Sequence, residues 1–167
     1  MEKSNTLNIL KNAFLMERQG KYLYETARDK ADNPVVKDFF QSLADDEQIH
    51  MNILEKQFKS YQNSGRLMAG GFENDGAAVT APDFLNKDLK DQINAAGFEA
   101  TAITAAIMFE EKAVAQYGKR AEEAEDPEEK NLYAWLSDWE KTHLKKLMDL
   151  QDSLMEKVWE DNSYWPF

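Results

Sequence analysis

Two Glu-x-x-His sequences, Glu47 to His50 and Glu140 to His143, hold the only two histidines of a 167-residue chain. Residues three apart on a helix share a face, so each pair would present a carboxylate and an imidazole in one direction. A further glutamate stands 30 residues before each motif, Glu17 before Glu47 and Glu110 before Glu140. Four carboxylates carry four negative charges, which two divalent cations would balance. The imidazoles add nitrogen ligands of a kind that iron, manganese and zinc accept. Without cations, four carboxylates packed inside a protein must either protonate or repel one another. A lone Glu-x-x-His in a glutamate-rich chain is weak evidence. Both histidines in the same motif, at the same distance from a glutamate, make a metal site the expectation.

The elements that must position these residues read as helices. From Leu7 to Ala31 the apolar residues Leu10, Phe14, Met16, Tyr24 and Ala27 recur at helical spacing. Asp32-Asn33-Pro34 marks a turn, with the proline suited to the first position of a second helix. That helix runs to about Tyr61 on Phe39, Phe40, Leu43, Ile49, Leu54 and Phe58. Gly65, Gly70, Gly71 and Gly76 make 62–82 a loop, and a weaker helical stretch is read from Asp83 to Ala96. A third helix is predicted over Phe98 to Glu123. The turn Ala124 to Pro127 precedes a fourth, which ends near Glu160, and Asn162 to Phe167 forms a tail expected to pack on the bundle.

The two halves repeat. An offset of 93 positions carries Phe14 onto Ile107, Glu17 onto Glu110, Tyr24 onto Tyr117 and Pro34 onto Pro127. It also carries Leu43 onto Leu136, Asp45 onto Asp138, Glu47 onto Glu140, His50 onto His143 and Leu54 onto Leu147. The predicted fold is all-α, a single domain over 1–167. It is a four-helix bundle of two hairpins, 1–61 and 98–160, joined by a long crossover at 62–97. Glu17 and Glu47 lie 15 residues either side of Asp32, and Glu110 and Glu140 lie 15 either side of Glu125. Each pair therefore stands at one height in its hairpin, about 22 Å from the turn at 1.5 Å per residue. With pseudo-two-fold packing, all six side chains converge at one level of the bundle.

Composition removes other classes. The net charge of -11 disfavours nucleic acid and anionic membranes, both of which call for a basic surface. The chain has no cysteine, which excludes disulfides, thiolate zinc, iron–sulfur clusters and thiol catalysis within it. No apolar run approaches the ~18 residues of a membrane span, and the first residues lack the pattern of a signal peptide. The expected location is cytoplasmic.

One glutamate from each of two helices, with a Glu-x-x-His from each of the other two, is the pattern of di-iron carboxylate bundles. The runs Phe14 to Tyr24, Leu43 to His50, Ile107 to Tyr117 and Leu136 to His143 resemble the rubrerythrin family of ferritin-like proteins. The resemblance covers all four helices. It implies two iron ions, with manganese or zinc as alternatives. It further implies that Glu47 and Glu140 bridge both ions, with Glu17, Glu110, His50 and His143 as terminal ligands. A homodimer is also implied. Rubrerythrins proper carry a rubredoxin-like module with four cysteines, which this chain lacks. Reductase activity would therefore call for an external electron donor such as a rubredoxin-type protein. They also carry a carboxylate one turn along the third helix, where this chain has Ala113.

Beyond the ligands, Tyr24 and Tyr117 are the candidate catalytic residues. Two turns after their glutamates on the same face, they would either bond a ligand carboxylate or shuttle an electron; packed core is the competing reading. Trp135, Trp139, Trp159 and Trp165 read as core packing or a dimer contact. Met16, Met51, Met108, Met148 and Met155 read as gap-fillers, with any exposed ones contributing to a dimer surface. The acidic run Glu122 to Glu129 reads as a solvated turn. The favoured activity is a di-iron oxidoreductase acting on peroxide or dioxygen. Ferroxidase iron handling and a metal-binding stress-response module without turnover are the alternatives.

Overall fold

The computed structural model describes residues 2–72, 89 and 97–161. Four α-helices make up this part of the chain: α1 Glu2–Lys30, α2 Pro34–Ser64, α3 Phe98–Glu123 and α4 Pro127–Asp161. Among the described residues there is no strand. Helix α1 begins five residues earlier than the apolar spacing implies, and α2 continues to Ser64. The stretch Asp83 to Ala96 lies outside the described residues, apart from Leu89, and so does the tail Asn162 to Phe167. Among the described residues, no helix is long and apolar enough to cross a membrane.

The two hairpin turns are built alike, at repeat-related positions. Asn33 is extended (φ -82°, ψ 129°), and its Oδ1 accepts the Val35 N–H at 2.8 Å, while Pro34 occupies the first turn. In the second hairpin Asp126 Oδ1 accepts the N–H groups of Glu128 at 2.8 Å and Glu129 at 3.3 Å, and Pro127 opens α4. Each acceptor satisfies backbone donors that the first helical turn leaves unpaired. Helix α2 ends on Gly65 in the left-handed region (φ 71°), whose N–H closes on Tyr61 O at 2.8 Å. The start of the crossover is then fastened down. Met68 N–H donates to Gln57 Oε1 at 2.8 Å, Gln57 Nε2 donates to Met68 O at 3.2 Å, and Leu67 and Phe72 are buried.

Helix α1 packs chiefly on α2 and α3 on α4, as two hairpins. Their apolar faces form two separate clusters. One gathers Tyr24, Phe39, Phe40, Leu43, Leu89, Ile103 and Leu147. The other gathers Leu10, Ile53, Leu54, Tyr117, Leu132, Tyr133 and Leu136. On every helix the two clusters leave a gap in the sequence: between Met16 and Tyr24, Ala44 and Ile53, Ile107 and Ala113, and Leu136 and Leu147. Glu17, Glu47, His50, Glu110, Glu140 and His143 fall in those four gaps. The apolar core is thus split into two plugs with a polar layer between them.

The methionine and acidic-run expectations hold at some positions and fail at others. Of the five methionines read as gap-fillers, Met16 is buried and Met51 half-buried, whereas Met108, Met148 and Met155 are exposed, because they fall on the outer faces of α3 and α4. The acidic run is solvated except at Glu129, which is buried and receives Arg120 Nε at 3.0 Å and Nη2 at 2.7 Å. Trp159, read as core or interface, is three-quarters exposed.

The hairpin turns give a direct test. Replacing Asn33 or Asp126 by alanine is expected to cost about 1 kcal/mol each, which lowers the midpoint of thermal unfolding by roughly 2–4 °C for a chain of this size. An unchanged midpoint in both variants would show that the side-chain caps do not hold the turns.

Candidate metal centre

The structure brings all six sequence-predicted residues to one level, and each is at least 99% buried. Both imidazoles turn Nδ1 toward the carboxylates. His50 Nδ1 lies 2.9 Å from Glu17 Oε2, 3.0 Å from Glu140 Oε1 and 3.6 Å from Glu47 Oε2. His143 Nδ1 lies 3.1 Å from Glu140 Oε2, 3.6 Å from Glu110 Oε1 and 3.7 Å from Glu47 Oε1. Two overlapping sets result: Glu17, Glu47, His50 and Glu140, and Glu47, Glu110, Glu140 and His143. Within each set, four ligand atoms lie within 4.8 Å of one another, close enough to share an ion. Glu47 and Glu140 belong to both.

The layer fits metal binding on a second count. Among the described residues, both oxygens of Glu47, Oε2 of Glu110 and Oε1 of Glu140 are buried without a hydrogen-bond partner. Buried carboxylate oxygens are rarely left so, and a set of carboxylate and imidazole donors accommodates divalent first-row cations. Glu140 Oε1 shows the mismatch plainly: it lies 3.0 Å from His50 Nδ1 without the alignment of a hydrogen bond.

The tyrosines answer the question that their spacing raised. Tyr24 donates its hydroxyl to Glu110 Oε1, and Tyr117 donates to Glu17 Oε1. Each tyrosine thus bonds the glutamate of the other repeat, and the exchange is reciprocal, as a two-fold relation between the hairpins demands. Burial, followed by the Glu110 charge, pushes the Tyr24 hydroxyl well above its ordinary 10.0. Burial and then Glu17 do the same for Tyr117. Both phenols stay neutral donors, each holding its glutamate in place.

Four residues contribute in ways that were not legible in the sequence. Asp46 is buried, and its Oδ2 sits 3.0 Å from His143 Nε2, supplying the partner that a ligating imidazole calls for on its second nitrogen. The repeat hides it, because the position related to Asp46 is Trp139. Trp135 and Trp139 pack edge-to-face on His50, with ring centroids at 5.6 Å and 5.7 Å. Among the described residues, His50 Nε2 has no hydrogen-bond partner. Gly20, one turn past Glu17, makes room: a Cβ there would stand 2.7 Å from Phe109 Cε1 and 3.2 Å from Glu47 Cδ. Its repeat mate is Ala113, buried in the apolar cluster beside Tyr117.

Protons do the work of cations when no cation is bound. Burial raises Glu47 well above its ordinary 4.5, and the Glu140 and Glu17 charges add to it. Burial and Glu140 raise Glu110 to about 8, against the opposing pull of His143. Burial alone would lower His50, but Glu140 and Glu17 outweigh it and hold the imidazole at about 10. His143 likewise rises against its burial, through Asp46, Glu110 and Glu140. Glu140 goes the other way: burial opposes its charge, yet the flanking His50 and His143 cations hold it below the usual carboxylate range.

A stability prediction follows from these signs. His50 and Glu110 both have folded values above their unfolded ones, so the folded chain binds more protons. Their contribution to stability is complete below pH 4.5 for Glu110 and below 6.5 for His50, and it is lost as pH rises through about 8 and about 10. Denaturant unfolding of metal-free protein is expected to show stability falling with pH across that window. The slope should be shallower in Glu110→Gln. A wild-type slope no steeper than that of the variant would contradict the assignment.

Comparison with known proteins supplies the remaining link. The family model described as Rubrerythrin matches residues 8–151. Neither the curated proteins nor the solved structures gave a match. The matched span enters all four helices and contains all six converging side chains, and the chain belongs to the rubrerythrin family.

Proposed function

We propose that the chain binds two metal ions, iron in the favoured reading and manganese or zinc as alternatives, and acts as an oxidoreductase on peroxide or dioxygen. The observation that carries this reading is the pair of overlapping four-ligand sets that share Glu47 and Glu140. In it, Glu47 and Glu140 would be shared by the two ions, Glu17 and His50 would hold one of them, and Glu110 and His143 would hold the other. A bound iron pair would supply the redox chemistry, two electrons per peroxide, which with two protons would give two waters. The chain's own part is to hold and seal. Tyr24 and Tyr117 fix the outer carboxylates through their hydroxyls, and Asp46 fixes His143. The two apolar plugs keep bulk water from the layer above and below. Electrons would come from a separate donor such as a rubredoxin-type protein. The proposed setting is a homodimer in the cytoplasm, with no role for nucleic acid or membrane.

One observation favours a second reading, ferroxidase activity in iron handling. Where the resemblance places an additional carboxylate on the third helix, Ala113 is packed at 1% exposure in the apolar cluster. The ligand exchange associated with the peroxide chemistry of rubrerythrins therefore has no side chain to use at that position.

Turnover separates these readings. Protein loaded with Fe(II) under exclusion of oxygen is expected to consume hydrogen peroxide catalytically when a reductant is supplied. Accumulation of Fe(III) without reductant-driven peroxide consumption would favour the ferroxidase. Stoichiometric metal without turnover by either oxidant would leave a binding module. Glu47→Ala/Glu140→Ala should lose both ions. Tyr24→Phe and Tyr117→Phe should keep the ions and lose roughly 10–100-fold in activity, the range seen when groups orienting metal ligands are removed.

A further inference from the structure

The two halves match at every proposed ligand but differ at the groups behind the histidines. His143 Nε2 faces Asp46 Oδ2 at 3.0 Å, with both side chains buried. Trp139 stands at the position related to Asp46 by the repeat, and the indoles of Trp139 and Trp135 close on the His50 ring at 89° and 81°. Among the described residues, His50 Nε2 is buried and has no hydrogen-bond partner, and neither has the Trp139 Nε1–H. Both imidazoles direct Nδ1 into the carboxylate layer. An imidazole that ligates through Nδ1 keeps its proton on Nε2. That proton has an acceptor behind His143 and meets an aromatic wall behind His50.

A carboxylate on the outer nitrogen fixes the tautomer and ring orientation of a ligating histidine and raises its basicity. An indole edge or face offers packing but no acceptor of comparable strength. We propose that the two metal positions are inequivalent. The position of Glu110 and His143 fills first and holds its ion tightly. The position of Glu17 and His50 fills second and exchanges its ion readily. Asp46 is the positioning residue that sets the difference. The inference rests on the two-ion reading above and goes beyond it, since that reading gives no order to the ions.

Calorimetric titration of the metal-free protein with Co(II) tests the order without any turnover, and the visible absorption of the ion reports each coordination event. Wild-type protein is expected to bind two equivalents in two steps whose affinities differ by roughly 10–100-fold. Asp46→Asn should weaken the tighter step by a similar factor and leave the weaker one in place, which brings the two together. Trp139→Asp, which builds the acceptor into the other repeat, should tighten the weaker step, while Trp139→Phe should leave the separation intact. Should Asp46→Asn fail to fold, the two Trp139 variants carry the test. Two indistinguishable steps in the wild type, or an Asp46→Asn variant that weakens both steps equally, would overturn the inference and leave the two-ion reading standing. Folded protein that takes up no Co(II) would instead overturn the two-ion reading itself.

Discussion

Four glutamates meet at one level inside a helical bundle, and the rest of the structure answers to that crowding. Taking charges out of water costs several kcal/mol per ion even after relaxation, and like charges at this range make it worse. The layer survives because each charge is met: by the imidazoles, by the tyrosine hydroxyls, by protons on Glu47 and Glu110, or, in the proposed functional state, by two cations. Oxygens that remain unpartnered around Glu47, Glu110 and Glu140 mark where protons are a poor substitute. The apolar plugs on either side gain their stability by burial, and they also dry the layer, which strengthens every interaction within it.

The internal repeat explains how so costly an arrangement is built. A hairpin whose turn lies midway between two glutamates sets both at one height, and a second copy facing the first doubles the set. Exchange between copies then ties the halves together: Tyr24 bonds Glu110, Tyr117 bonds Glu17, and Asp46 reaches His143. Departures from the symmetry include positions that pack on the ligands. Asp46 faces Trp139 across the repeat, and Gly20 corresponds to Ala113. The ligands themselves are kept, while their surroundings differ between the halves.

The four helices, the hairpin turns and the convergence of six side chains were legible in the sequence because each follows from spacing along one chain. A 3.6-residue period names a helix face, and the distance from a turn fixes a height. What spacing cannot supply is which residue of another helix lies across the interface. Asp46 sits next to Glu47 and looks like one more surface acid until α4 is placed against α2. Spacing leaves Tyr24 and Tyr117 open as carboxylate partners, electron relays or packed core, and it does not show that the carboxylate each bonds belongs to the other half. Trp135 and Trp139 share a face of α4, but that this face lies on His50 depends on the packing of α4 against α2. Glu129 looked solvated because its partner, Arg120, lies across the turn on α3.

The central claim is that this layer holds two ions bridged by Glu47 and Glu140, and diffraction tests it most directly. Crystals of protein loaded with Fe(II) without oxygen would be measured on both sides of the iron absorption edge. Two anomalous peaks are expected, one among Glu17, Glu47, His50 and Glu140, the other among Glu47, Glu110, Glu140 and His143. An intact bundle with the six side chains converged and no peak between them would contradict the account, as would a single ion or ions bound elsewhere.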